Sequence, residues 1–289
     1  MLDTMALGQP KTVSAFLVKG PKVTLVDCGY ASSYETVLAG LREVGVAPSD
    51  VRYVIPTHVH LDHSGAAGRL LKLMPNAEVI AHEKGTPHLV DPTRLIESAT
   101  RVFGKAIMDL YGPPEPIPAG RVTSVGKESH LDLGDGMSAT LLHSPGHAPH
   151  QLSVMLDGAR TLLTADAVGI VYPGTKAMIP TTPPPSFDPT SLINSVNLLG
   201  QTDPNLLLLP HFGARRDVRS ILENTRGRVT EWVKAVAAMR KEKKDLDEIT
   251  DVMVARVTSE EGIDDLPIYA RVSVRTSVMG ILNYLDKNT

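Results

Sequence analysis

Apolar and polar positions divide this chain into three regimes. In the first, short apolar runs alternate with amphipathic stretches. Thr12 to Lys19 and Val23 to Asp27, separated by Gly20-Pro21, predict a hairpin of two strands. Ser32 to Val44 places Val37, Leu38 and Leu41 at helical spacing and is followed by Gly45, which predicts a helix and its stop. Val51 to Pro56 predicts a strand, Ala66 to Met74 a helix ended by Pro75, and Glu78 to Ala81 a short strand. Residues 83 to 121 break this rhythm. Within them Leu95 to Tyr111 has a helical pattern, cut off by Gly112-Pro113-Pro114-Glu115-Pro116. An insertion of that length between core strands is expected to roof a pocket.

The second regime is a series of strands: Val122 to Val125, Leu131 to Leu133, Met137 to His143, Ser153 to Leu156 and Thr161 to Thr164. Gly134-Asp135-Gly136 and Asp157-Gly158 supply hairpin turns between them. Together these strands predict a second sheet. A Gly/Pro-rich loop from Gly169 to Pro189 follows. Asp188-Pro189 then caps and opens a helix over Ser191 to Leu199, and Leu206 to Leu209 predicts the last core strand. From Arg216 onward the period is helical throughout. Val218, Ile221, Leu222, Val229, Trp232, Val233 and Val236 form one stripe, and Glu248 to Val257 and Val272 to Leu285 predict two further helices. Lys241-Glu242-Lys243-Lys244 between them reads as a solvated helix end. Helices alternating with strands give an α/β (α+β) class, sheets flanked by helices.

Composition narrows the function classes. The 289 residues are 42% hydrophobic and 21% charged, ordinary for a globular protein. A net charge of −3 gives no general electrostatic reason to bind nucleic acid or membrane. The single cysteine, Cys28, excludes an intrachain disulfide and the cysteine-rich zinc sites. No apolar run approaches ~18 residues, and the N-terminus lacks a basic region followed by an apolar stretch, so a cytoplasmic location is expected.

Directly after the strand at Val51 to Pro56 stands His58-Val59-His60-Leu61-Asp62-His63, followed by Ser64-Gly65. Four metal-competent side chains fall within six residues, and imidazole and carboxylate donors suit zinc, manganese or iron(II). In extended backbone, alternate side chains share a face, so His58, His60 and Asp62 are expected to point one way, with His63 joining them at a helix start. The pattern resembles the metallo-β-lactamase-fold superfamily. Three later segments are similar to that family as well: Ser144-Pro145-Gly146-His147, Leu162-Leu163-Thr164-Ala165-Asp166, and Leu206-Leu207-Leu208-Leu209-Pro210-His211. The family often has Gly where Ala165 stands. The resemblance spans roughly residues 10 to 215.

The resemblance implies a four-layer αββα sandwich. It implies residues 1–215 as a catalytic domain, with 84–121 as a cap insertion, and 216–289 as a helical C-terminal region. It assigns His58, His60 and His147 to one divalent metal ion and Asp62, His63 and His211 to a second, with Asp166 bridging both. Zinc is the expected metal, with iron or manganese as alternatives. A bridging hydroxide would then be the nucleophile, with Asp62 as a catalytic group that contacts it and protonates the leaving group. Asp27, in Asp27-Cys28-Gly29, matches an Asp-x-Gly that supports a ligand histidine; a turn carboxylate is the other reading. His150 is either such a support or a strand cap. His82, His88, His130 and His143 carry no ligand pattern.

The insertion, the long loop after Asp166 and the helical C-terminus look like glyoxalase II and the related lactonases. That implies hydrolysis of a small ester, thioester or lactone, with Tyr172 and Lys176 near the substrate. The alternatives are an iron persulfide-dioxygenase-like oxidoreductase, using His58, His147 and Asp166, and a nuclease, which the charge disfavours. The expected partner is a small-molecule substrate, with no nucleic acid, no membrane, and room for a homodimer. The apolar stripe of 216–289 is expected to dock on its own core, with Tyr269 or the Val272 to Leu285 helix near the pocket rim.

Overall fold

The computed structural model describes residues 1–171 and 178–288. The first half runs β1 (Leu2–Asp3), β2 (Ser14–Val18), β3 (Val23–Val26), α1 (Tyr34–Glu43), β4 (Val51–Ile55), α2 (Leu61–Ser64), α3 (Ala67–Leu73), β5 (Glu78–His82), α4 (Thr86–Val90), α5 (Thr93–Phe103), α6 (Lys105–Tyr111) and β6 (Val122–Val125). Its six strands form one sheet in chain order, antiparallel from β1 to β3 and parallel from β3 to β6. The second half runs β7 (Glu128–Gly134), β8 (Met137–His143), β9 (Leu152–Leu156), β10 (Thr161–Leu163), α7 (Pro189–Gln201), β11 (Leu206–Leu209), β12 (Gly213–Arg215), α8 (Val218–Lys241), α9 (Leu246–Glu261) and α10 (Ile268–Lys287). Its strands form a second sheet in the order β12-β11-β10-β9-β8-β7.

Alternation along the strands builds the layers. Tyr53 and Ile55 of β4 and Phe16 and Val26 face the second sheet, where Leu141, Val154 and Leu163 meet them. Val54, between Tyr53 and Ile55, faces the other way and packs with Val37, Leu41, Leu70 and Leu71 of α1 and α3. On the second sheet Leu163 points inward, while Leu162, Leu207 and Leu209 point outward against α7 and α8–α10. A strand buried on both faces reads as an unbroken apolar run, and Tyr53 to Ile55 and Leu206 to Leu209 read that way. The result is the expected αββα sandwich. The C-terminal helices share the outer cluster: Trp232, Val236, Ile249, Val274 and Val278 are buried within it.

Two expectations change. The run of strands predicts Val122–Val125 in the second sheet, yet β6 pairs in parallel with β5 and closes the edge of the first sheet. Its crossover from β5 is the insertion itself, so the alternation alone could not show which neighbour it would find. Leu95 to Tyr111 is two helices rather than one: Gly104 takes a positive φ of 80° and breaks the path between α5 and α6. Among the described residues no helix is long and apolar enough to cross a membrane.

Candidate metal centre

The donor-rich segment occupies the loop between β4 and α3 and is delivered in two pieces. Thr57 to His60 is loop, while Leu61–Ser64 is a short helical turn capped by His60. The expected alternation therefore holds for His58 and His60 but not for Asp62, which the helical turn carries away with His63 to the neighbouring group. His147 sits in the turn after β8. Gly146 there has a φ of 128°, and a Cβ on it would stand 2.2 Å from the backbone nitrogen of Leu192 on α7, so only glycine fits. Asp166 follows β10, directly after Ala165, which holds a left-handed φ of 48° where a glycine would be unstrained. His211 follows β11. All seven side chains meet at one end of the sandwich.

Their donor atoms form two groups joined by one carboxylate. His58 Nε2, His60 Nδ1 and His147 Nε2 lie 2.9–3.2 Å from one another. Asp62 Oδ2 stands 3.4 Å from His63 Nε2 and 3.7 Å from His211 Nε2. Asp166 reaches both groups: its Oδ2 is 3.5 Å from His147 Nε2 and 3.4 Å from His211 Nε2, and its Oδ1 is 3.6 Å from His63 Nε2. Asp27 is just outside. Its Oδ1 accepts from the Thr57 backbone N–H (2.7 Å) and hydroxyl (2.9 Å), and its Oδ2 lies 3.0 Å from His63 Nδ1.

These donors fit a divalent metal better than they fit one another. Three imidazole nitrogens in mutual contact cannot all be satisfied by hydrogen bonds, since each ring offers either a proton or a lone pair at that atom. Nitrogens about 2.0–2.1 Å from a shared tetrahedral centre would stand roughly 3.3 Å apart, close to the separations here. His63 Nε2 and Asp166 Oδ1 are buried without a hydrogen-bond partner, which is costly unless a cation is the partner. The far nitrogens are anchored in turn: His58 Nδ1 by the Thr57 hydroxyl (3.1 Å), His147 Nδ1 by the Thr181 carbonyl (2.9 Å), and His211 Nδ1 by the Thr12 carbonyl (3.2 Å). An N–H donated outward fixes the tautomer that aims the other nitrogen inward.

A model of the metallo-beta-lactamase superfamily matches residues 8–211. This chain belongs to that superfamily. Metallo-beta-lactamase fold-containing protein ST1585 of Sulfurisphaera tokodaii is 30% identical over 179 residues, 61% of this chain and 63% of that one. The solved ST1585 structure superposes with a TM-score of 0.69 at 22% identity, covering 96% of this chain and 93% of its own. N-acyl homoserine lactonase AttM of Azorhizobium caulinodans is 31% identical over 137 residues, 46% of this chain and 47% of its own. A protein of Thermosynechococcus vestitus provisionally named diflavin flavoprotein A 1 is 29% identical over 165 residues, 57% of this chain and 25% of its own. Each of these sequence matches spans less than two thirds of the relative's length.

Members of the metallo-beta-lactamase superfamily bind metal ions, and the electrostatics here suit that. Burial, then the neighbouring imidazoles, hold His58 and His60 well below the ordinary imidazole range. Burial also lowers His147, against the pull of Asp166. His63 and His211 go the other way. Burial opposes their charge, but Asp62, Asp27 and Asp166 outweigh it at His63, and Asp166 and Asp62 outweigh it at His211. Burial likewise opposes ionisation of Asp62 and Asp166, and the surrounding histidines outweigh it. Two buried aspartates, Asp27 and Asp166, and the partly exposed Asp62 thus draw positive charge to one side of a centre whose other side is neutral imidazole.

The remaining candidates are placed as follows. His150 accepts the Val59 backbone N–H at a long 3.5 Å and bonds to no ligand ring, although its ring centroid is 6.4 Å from that of His58. Burial beside His88 and other histidines lowers it to about 3. It props the loop between two ligands. Tyr172 and Lys176 lie outside the described residues. The rings of His82 and His143 stack on each other with centroids 3.9 Å apart and belong to neither donor group, and His130 is on an exposed strand face. Sequence reasoning did not find Thr12, Thr57, Thr181 or Gln151. Buried Gln151 donates to the Ser144 carbonyl and accepts the Asp166 backbone N–H, tying two ligand-bearing turns together. Anchoring through a backbone carbonyl leaves no residue-type signature; only the Thr181-Thr182 doublet ahead of the proline run hints at it.

Proposed function

We propose that this protein is a dinuclear metal-dependent hydrolase of small esters, thioesters or lactones, of the glyoxalase II-like or lactonase-like branch. The observation that carries the reading is the complete donor set: a three-imidazole group, an Asp62–His63–His211 group, and a carboxylate at Asp166 within 3.6 Å of both. His58, His60 and His147 would hold one ion, Asp62, His63 and His211 the other, and Asp166 would give an oxygen to each. Zinc suits these donors, and iron(II) or manganese can use the same set. Such ions, when bound, supply a water of lowered pKa and polarise the carbonyl under attack.

The protein's own residues then hold and move protons. The Asp62 carboxylate is 20% exposed, the most open side chain of its group, and is held ionised by His63 and His211. It can take a proton at its carboxylate and pass it to a leaving oxygen or sulfur. Cys28 suits no nucleophilic role: it is fully buried, and burial pushes its thiol up. Leu61, Met108 and Tyr111 form an apolar wall beside Asp62, and Tyr30 stacks on Tyr111 at 4.2 Å. That wall and the likeness to a lactonase support a substrate with an apolar arm. Tyr172 and Lys176, which follow Asp166 in the sequence, are assigned to substrate binding. The net charge of −3 supports a small molecule over nucleic acid.

The test pairs metal analysis with turnover. Purified protein should carry two divalent ions per chain and hydrolyse members of a lactone and thioester panel in preference to phosphoesters. A single iron per chain, with oxygen consumed on glutathione persulfide, would overturn the hydrolase reading in favour of an oxidoreductase.

A further inference from the structure

The C-terminal helix reaches the metal centre through the segment Pro180 to Thr182. Gly280 on α10 is packed so closely on the chain at Thr182 that a Cβ there would lie 1.7 Å from the Thr182 carbonyl oxygen and 2.6 Å from the Pro183 carbonyl carbon. One turn earlier, Ser277 is 3% exposed. Its hydroxyl donates to the Pro180 carbonyl and accepts the Thr182 backbone N–H at 3.5 Å. The Thr182 hydroxyl, itself fully buried, donates to the Ser277 carbonyl at 3.0 Å. Pro180 and Thr182 are thus both fixed to α10, and Thr181 is held between them.

Thr181 faces the other way and, among the described residues, hydrogen-bonds to two of the proposed ligands. Its carbonyl accepts from His147 Nδ1 at 2.9 Å, and its hydroxyl donates to the Asp166 backbone carbonyl at 2.7 Å. On the upstream side, Ile179 pairs with Ile170 through two backbone hydrogen bonds of 2.8 and 2.9 Å. The strap 179–182 is therefore pinned at Ile179 by Ile170 and at Pro180 and Thr182 by the packing against Gly280 and Ser277. Resting on the metal-centre reading above, we infer that Gly280 and Ser277, through Thr182 and Thr181, are positioning residues for His147 and Asp166. The C-terminal helix is then a working part of the centre.

The inference is asymmetric, which makes it testable. His63 is anchored by Asp27 and His211 by Thr12, and neither partner is on α10. Moving the strap should disturb the group containing His147 and the shared carboxylate, leaving the Asp62–His63–His211 donors oriented. A methyl at Gly280 must push the Thr182 carbonyl out by more than an ångström, and that shift passes to Thr181. Loss of a hydrogen bond that orients a metal-ligating histidine typically weakens metal binding about 10- to 100-fold.

The experiment measures zinc affinity by chelator competition, and the visible spectrum of the cobalt(II)-substituted full-length protein, in four variants. Gly280→Ala should weaken the step at the His58–His60–His147 group by roughly 10- to 100-fold and Thr182→Val by about tenfold, with a smaller loss at the other step through the shared Asp166, each with an altered cobalt spectrum. Thr182→Ser keeps the hydroxyl and should match wild type in both. Val278→Ala, in the buried cluster on the same helix, should lower the melting temperature while leaving affinity and spectrum unchanged. If Gly280→Ala does not fold, the Thr182 pair alone decides. Wild-type affinity in a folded Thr182→Val, or an equal loss in Val278→Ala, would overturn the inference. Wild-type protein that takes up no divalent metal would instead overturn the metal-centre reading beneath it.

Discussion

Asp27 shows how much of the centre depends on residues that would not touch a metal. It adopts a positive φ of 59° at the end of β3, an uncommon conformation for a side-chain-bearing residue, and so brings one carboxylate to both Thr57 and His63. Asp27→Ala should leave the chain folded but weaken the ion at Asp62–His63–His211 by about 10- to 100-fold. Isothermal titration with zinc would show a loss confined to one step; two unchanged steps would remove Asp27 from the design. The perturbed histidines also give a pH order. His63 and His211, raised above the ordinary range, must release protons before binding a metal, so affinity at their group falls as soon as pH drops below those raised values. His58, His60 and His147, held low, stay neutral further into acid. Acidification in the presence of a chelator should therefore strip the Asp62–His63–His211 ion first, and loss in the opposite order, followed by metal analysis at each pH, would refute that ranking.

Elements were legible where burial imposed a period and illegible where partners decided. The alternation that puts Tyr53 and Ile55 on one face and Val54 on the other is compressed into one apolar run, and such a run is still recognisable as a doubly covered strand. The pairing of β6 was not legible, because the crossover from β5 passes through α4 to α6 and nothing in Val122–Val125 names a neighbour. The break between α5 and α6 was signalled by Gly104, but apolar spacing continued across it and hid the change of direction. At the metal centre, the seven donor residues stand out because histidine and aspartate at turn positions after apolar strands are rare in combination. Their grouping was not visible from alternation, since a four-residue helical turn redirects Asp62 and His63. The carbonyls of Thr12 and Thr181, which orient His211 and His147, belong to the backbone and could be seen only in three dimensions.

At the scale of the whole molecule, the question is what the helices after Arg215 contribute. The outer face of the second sheet exposes Leu142, Met155, Leu162, Leu207 and Leu209, and α7 covers it together with α8, α9 and α10 in one continuous apolar cluster. Trp232 on α8 is completely buried there, and truncating such a residue costs about 3–5 kcal/mol. A chain ending after Arg215 would present the uncovered part of that cluster to water and would also lose the α10 contacts at Pro180 and Thr182. It should aggregate or bind a hydrophobic dye such as ANS, because an exposed apolar patch of that extent is an association surface. Trp232→Ala in the full chain is the gentler test: it should lower the melting temperature by several degrees while the metal-binding steps persist, since the hydrogen bonds that hold the strap to the helices come from Ser277 and not from Trp232. A truncated chain that is soluble and monomeric, binds two metals and turns over substrate with an unchanged KM would show that the helices are separable from the centre. The hydrogen bonds from α10 to the strap argue for the other result, in which sandwich and helices unfold together.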